Sequence, residues 1–127
     1  RLARLAQAAY AAEGDTIELA ETFMTIAETL RDMGEIREAE KAFRDAESLF
    51  RRNDCLEGQS RALNLLAGLF FAQNDYRNSL GTLMDAIAIA KRLNDRPKLA
   101  FMMGNIGRIN TFLGNFAQAR KHLQVQR

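Results

Sequence analysis

Little in this sequence supports covalent or metal chemistry. Its single cysteine, Cys55, rules out an internal disulfide and points to a reducing compartment. Its single histidine, His122, stands apart from any cysteine cluster, so no metal-ligand spacing is present, and no carboxylates stand out as an acid–base pair. No run approaches the roughly 18 apolar residues that a membrane-spanning helix needs, and the N-terminus lacks the charged, apolar and small-residue order of a secretory signal. A single proline, Pro97, leaves nearly the whole chain free of the residue that breaks helices. What survives these exclusions is a soluble segment that is not an enzyme, with no metal, no cofactor and no membrane partner, and with the cytoplasm as the expected compartment.

What is present is helical material. Hydrophobic residues make up 47% and charged residues 27% of 127, too apolar a mixture for disorder and about one domain in length. The chain begins at Arg1 and stops at Arg127 inside a helical pattern, which reads as a piece of a longer polypeptide. Its charge is divided. Up to Ser60 there are 13 acidic against 8 basic side chains, a net of −5, and from Arg61 onward 3 against 10, a net of +7. Such a division steers partners, or orients copies head to tail. The basic residues of the second half, among them Lys91, Arg92, Arg96, Lys98, Arg120 and Lys121, are scattered over loops and helix faces without an aromatic stacking platform, which argues against nucleic acid.

Apolar residues recur at helical spacing throughout. Leu2, Leu5, Ala6, Ala9 and Tyr10 predict a helix over 1–13, stopped by Gly14, with Asp15 expected to cap the next. Leu19, Phe23, Ile26, Ala27 and Leu30 predict a helix over 16–33, ended by Gly34, the residue best able to take a left-handed conformation. The following helix, 36–52, carries Ala39, Phe43, Ala46, Leu49 and Phe50, with Glu40/Arg44 and Glu47/Arg51 four apart on its outer face. Leu63, Leu66, Ala67 and Phe70 mark a helix over 56–73, closed by Asn74; Leu80, Leu83, Ala86, Ile87 and Ala90 mark another over 76–93. Pro97 suits a helix start, and Met103, Ile106, Gly107 and Ile109 predict a helix that Gly114 ends before Phe116, Ala119 and Leu123 open one more.

Gly34, Asn74 and Gly114 stand 40 residues apart, and the side chains keep the same step. Phe23, Leu63 and Met103 align; so do Ile26, Leu66 and Ile106, then Ala27, Ala67 and Gly107, then Ile36, Tyr76 and Phe116, then Ala39, Ser79 and Ala119, then Phe43, Leu83 and Leu123. Small residues let two antiparallel helices approach, and large ones fill the space to the next pair, so stacked pairs supply the core that one pair lacks. The columns, with the hinges Gln73-Asn74-Asp75-Tyr76 and Leu113-Gly114-Asn115-Phe116, resemble the tetratricopeptide repeat over essentially the whole chain. The repeat is longer than the usual period of about 34, no proline closes the units, and Asn110 replaces an aromatic. In these respects it is similar to the roughly 40-residue repeats of bacterial regulators and of animal cell-polarity adaptors.

The resemblance implies an all-α solenoid of antiparallel helix pairs wound as a right-handed superhelix, here with about seven helices: the second helix of a preceding repeat at 1–13, repeats at 16–53 and 56–94, and a truncated third at 97–127. It also implies a concave groove lined by the first helix of each unit, in which a protein or peptide binds. By position the groove residues are Glu28 and Arg31 of the first unit, Arg61, Asn64 and Phe71 of the second, and Phe101, Asn105, Arg108 and Thr111 of the third. Asparagine amides suit a peptide backbone, arginines suit carboxylates, and Phe71 offers an apolar platform, so an acidic or amphipathic segment is the expected ligand. Met24, Glu28, Gly68 and Gly104 do not reproduce the lysine–asparagine clamp of chaperone-tail binders. The function expected is a binding scaffold, as in the sensor or interaction domain of a bacterial regulator; the alternative is self-association through exposed repeat ends.

Overall fold

The first four helices all end alike, and that ending sets the architecture. A computed structural model describes Gly14 and residues 16–125, with side chains for all of these except 116–119 and 121–125. It contains α1 (Ile17–Asp32), α2 (Ile36–Arg52), α3 (Leu56–Ala72), α4 (Tyr76–Leu93) and α5 (Arg96–Val125), and no strand among the described residues. Gly34, Asp54, Asn74 and Asn94 each adopt positive φ, at +83°, +54°, +63° and +55°. Each of these residues donates its N–H three residues back, and the residue after it donates five residues back: Glu35 to Leu30, Cys55 to Phe50, Asp75 to Phe70 and Asp95 to Ala90, at 2.8–3.2 Å. This is the double closure in which a left-handed residue satisfies the last carbonyls of a helix. Gly14 is also left-handed, at +68°, so a left-handed residue recurs every 20 residues through positions 14, 34, 54, 74 and 94.

The helix starts are capped more variably. Thr16, one position beyond the Asp15 expected, accepts the N–H of Leu19 at 3.1 Å; Asp75 and Asp95 accept those of Asn78 and Lys98 at 3.4 and 3.2 Å. Pro97 falls in the first turn of α5, where its missing N–H costs no helical bond.

Two cores result, and α3 is common to both. Leu19, Phe23, Ala27 and Leu30 of α1 meet Ala39, Phe43, Ala46 and Phe50 of α2 and the Ala62, Leu66, Leu69 and Phe70 edge of α3. Ala67 of α3, with Leu63 and Phe71 half-buried beside it, turns to Leu83, Ala86, Ile87 and Ala90 of α4 and to Met102 and Ile109 of α5. Buried hydroxyls tie α3 to α4: Ser79 donates to the Ala67 carbonyl at 2.7 Å and Ser60 to that of Ala86 at 3.3 Å. Their equivalents in α1 and α2 are Ala20 and Ala39, fully buried without a polar group. Gly58 is a true close approach, because a Cβ there would lie 2.3 Å from the Phe50 ring.

Two expectations fail at the third unit. Gly114 does not end a helix: α5 runs unbroken through it, with Gly114 absent from the left-handed set. Among the described residues five helices are present: the last two expected are one, and the helix expected over 1–13 lies outside those residues. Met103 and Gly107, aligned with packing positions, are exposed, and the buried stripe of α5 is Met102 and Ile109 with half-buried Leu99, Ile106 and Leu113. A turn gives up intrahelical hydrogen bonds and forms only where the returning helix buries enough surface to offset that loss. The last described side chains of α5 to pack are Phe112 and Leu113, just before the glycine.

Candidate functional site

The first helices α1, α3 and α5 present side chains toward one another, and the 40-residue step makes equivalent positions meet. Glu21 and Arg61 hold the same place in α1 and α3 and form an ion pair. The Arg61 guanidinium also lies over the Phe50 ring, 5.8 Å from its centre. Arg61 is thus held on its own protein, away from the cleft described next.

Between α3 and α5, with α1 at one side, lies a cleft of about 370 Å³. Arg31, Asn64, Phe71, Phe101, Asn105 and Arg108 stand around it, and Leu65, Ala67, Gly68, Ser79, Leu83 and Ile109 line the rest. The cleft reaches down to Ser79 and Leu83 of α4, alongside Gly68, which has no side chain, and Ala67, which has only a methyl. Its one hydroxyl, on Ser79, is already given to the Ala67 carbonyl, so the base is apolar in effect. Phe101 is 65% exposed, an unusual state for a phenylalanine with nothing over it. Among the described residues no carboxylate lies within ion-pair distance of Arg108, and Arg31 meets only the adjacent, exposed Asp32 at 3.3 Å. Two guanidiniums therefore give the cleft a positive character.

Of the nine residues expected in the groove, six stand together here. Glu28 is half-buried on α1 outside the lining, Arg61 is paired with Glu21, and the exposed Thr111 donates its hydroxyl to the Gly107 carbonyl of its own helix at 2.9 Å. Sequence reasoning missed the base of the cleft. Ala67, Ser79, Leu83 and Ile109 were legible as packing columns, but nothing in a one-dimensional pattern says that packing residues show through a gap at Gly68. Phe112 was missed too, because its equivalent in the repeat is Ala72 and no column marks it.

Phe112 packs against Phe71 at one wall of the site. Its ring stacks on Tyr76 at 5.2 Å and 11° and meets Phe71 edge-on at 5.5 Å, while Phe71 and Tyr76 pack edge-on at 5.4 Å. The Tyr76 hydroxyl donates to the side-chain oxygen of Asn74 at 2.8 Å. Phe71 is thereby fixed in orientation while still lining the cleft. Among the described residues no three His, Cys, Asp or Glu side chains are grouped as metal ligands, and no helix is long and apolar enough to cross a membrane.

Models of the tetratricopeptide repeat match residues 58–125 and, separately, 20–53. No curated protein matches the chain significantly. Solved structures of similar fold include aspartyl phosphate phosphatase F from Bacillus subtilis, 22% identical with a TM-score of 0.76 over 86% of this chain and 28% of that one. BtubC (BKLC) from P. vanneervenii is 21% identical with a TM-score of 0.77 over 88% of this chain and 47% of that one. The chain spans less than half the length of either, and at these identities the likeness is one of fold.

Proposed function

The chain belongs to the tetratricopeptide repeat family, and on that premise we propose that it is a non-catalytic protein-interaction scaffold whose cleft takes an acidic or amphipathic peptide segment. The observation that carries this reading is the convergence of two arginines, two asparagines and two phenylalanines from three helices on one cleft of about 370 Å³. Its volume lies within the roughly 300–1,000 Å³ of ordinary ligand clefts. Each residue type has a task that its neighbours cannot perform. Arg31 and Arg108 offer planar, doubly donating groups to carboxylates; the amides of Asn64 and Asn105 donate and accept as a peptide backbone does; Phe71 and Phe101 give apolar contact. The finer form of this reading is a place as the interaction or sensor domain of a larger regulator.

The test is a library of acidic peptides presented to the protein and to an Asn64→Ala, Arg108→Gln double variant. Peptides selected by the parent protein are expected to lose measurable binding to the variant, with helicity and melting unchanged, and to weaken with salt. Retained affinity in the variant removes the cleft from consideration.

A second reading, self-association, has its own support in the outer face of α5, where Met103 is 57% exposed although its equivalent Phe23 is only 8% exposed. Light scattering over a concentration series separates the two, since a purely peptide-binding module stays monomeric throughout.

A further inference from the structure

Gly68 lies inside α3, where glycine is disfavoured relative to alanine, yet its backbone is not left-handed and nothing stands where its Cβ would be: no atom lies within 4 Å. Gly58 in the same helix differs, being required by the Phe50 ring. Steric need therefore explains one glycine of α3 and leaves the other unexplained. The repeat sharpens the contrast. The position of Gly68 is held by Glu28 in the first unit and Arg108 in the third, both long charged side chains. Only in the middle unit is the side chain missing, and there the cleft opens.

We infer that Gly68 is the specificity-determining position of the cleft: by withholding a side chain it opens a pocket for one apolar side chain of an acidic peptide. The inference rests on the reading of the cleft as a peptide site and adds what that site selects. Leu83 and Ala67 are buried beneath the opening, and the Ser79 hydroxyl beside them is already committed to a carbonyl. A polar side chain that reaches this base finds its one hydroxyl already committed and loses its water without replacement, whereas an apolar one gains by leaving water. Acidic flanks follow from charge complementarity with Arg31 and Arg108. The pocket thus reads one apolar residue between carboxylates, and a methyl or isobutyl group placed on residue 68 occupies the same space.

The experiment uses fluorescein-labelled peptides Glu-Asp-X-Asp-Glu with X as Gly, Ala, Leu or Phe, titrated by anisotropy against the whole chain and its Gly68→Ala, Gly68→Leu and Arg108→Gln variants. The parent is expected to bind X = Leu or Phe at least ~10-fold more tightly than X = Gly, the discrimination that one apolar pocket delivers. Gly68→Leu should erase that preference, so that all four peptides bind it alike, Gly68→Ala should narrow it, and Arg108→Gln should weaken every peptide alike. Gly68→Ala should melt no lower than the parent, because the added carbon meets open space, and a melting curve for Gly68→Leu establishes that it is folded before it is titrated. Equal affinity for every X in the parent, or a preference that survives Gly68→Leu, overturns this inference and leaves the peptide-site reading intact. Absence of binding by any of the four peptides to the folded parent overturns both.

Discussion

Helices α3 and α5 begin 40 residues apart and hold equivalent places in consecutive units, yet one is covered on two sides and the other on one. Each buries the same rear edge, Ala62 and Leu69 in α3 and Met102 and Ile109 in α5. Their forward edges differ. Ala67 is buried and Leu63 half-buried against α4, whereas Gly107 and Met103 are exposed. The ends differ in the same sense: α3 stops, Asn74 turns left-handed and α4 returns over it, while α5 continues through Gly114. Glycine takes the left-handed conformation more readily than asparagine, so turning capacity does not decide the matter. A residue able to turn permits a hinge; surface buried by the returning helix makes one.

Of the hinges expected at 34, 74 and 114, the two that form are secured differently. At the second, Tyr76 bonds Asn74, Asp75 caps α4 and Ser79 reaches the Ala67 carbonyl. The first has Gly34, Ile36 and Ala39 at those places and no such bonds, but α2 buries both Phe43 and Phe50 completely. Positions 114, 116 and 119 carry Gly, Phe and Ala, the polar-poor set of the first hinge.

The largest effect that probes this contrast lies on the shared rear edge. Leu69→Ala and Ile109→Ala should each cost about 2–5 kcal/mol in urea unfolding; a loss of less than about 1 kcal/mol at Ile109 alone would mean that α5 is not packed as α3 is. Next come the hinges. Asn74→Ala should cost about 1 kcal/mol, since alanine must be forced left-handed, and Gly114→Ala should raise the melting temperature through a gain of roughly 0.5–1 kcal/mol in a continuous helix. A Gly114→Ala variant that melts lower would show the two ends to be alike after all. The smallest effect belongs to the Glu21–Arg61 pair, where a double-mutant cycle should give about 0.2–1 kcal/mol, falling with salt, because both groups are largely exposed.

The legible part of the fold was what repeats. Helical spacing placed α1 to α4 within a residue or so of their limits, the i,i+4 pairs Glu40–Arg44 and Glu47–Arg51 form at 3.0 and 3.6 Å, and Gly34 and Asn74 turn as read. The candidate site was legible as a face of the first helices but not as a shape. Arg61 was counted for the groove because its position is right, and only Glu21 standing beside it reveals that it is engaged. The repeat columns place Met103 in the packing and leave Phe112 unmarked, because an alignment of columns cannot tell which edge of a helix has a neighbour.

By itself the sequence determined the helical period, the 40-residue step and the residues able to turn left-handed, because these depend on local sterics and on spacing that survives in one dimension. Only the tertiary structure decided which turning residue turns, which edge of α5 is covered, and that Gly68 of α3 and Leu83 of α4 come to line one cleft. Those outcomes depend on which surfaces meet, and burial is a property of pairs of helices that no single helix carries in its own pattern.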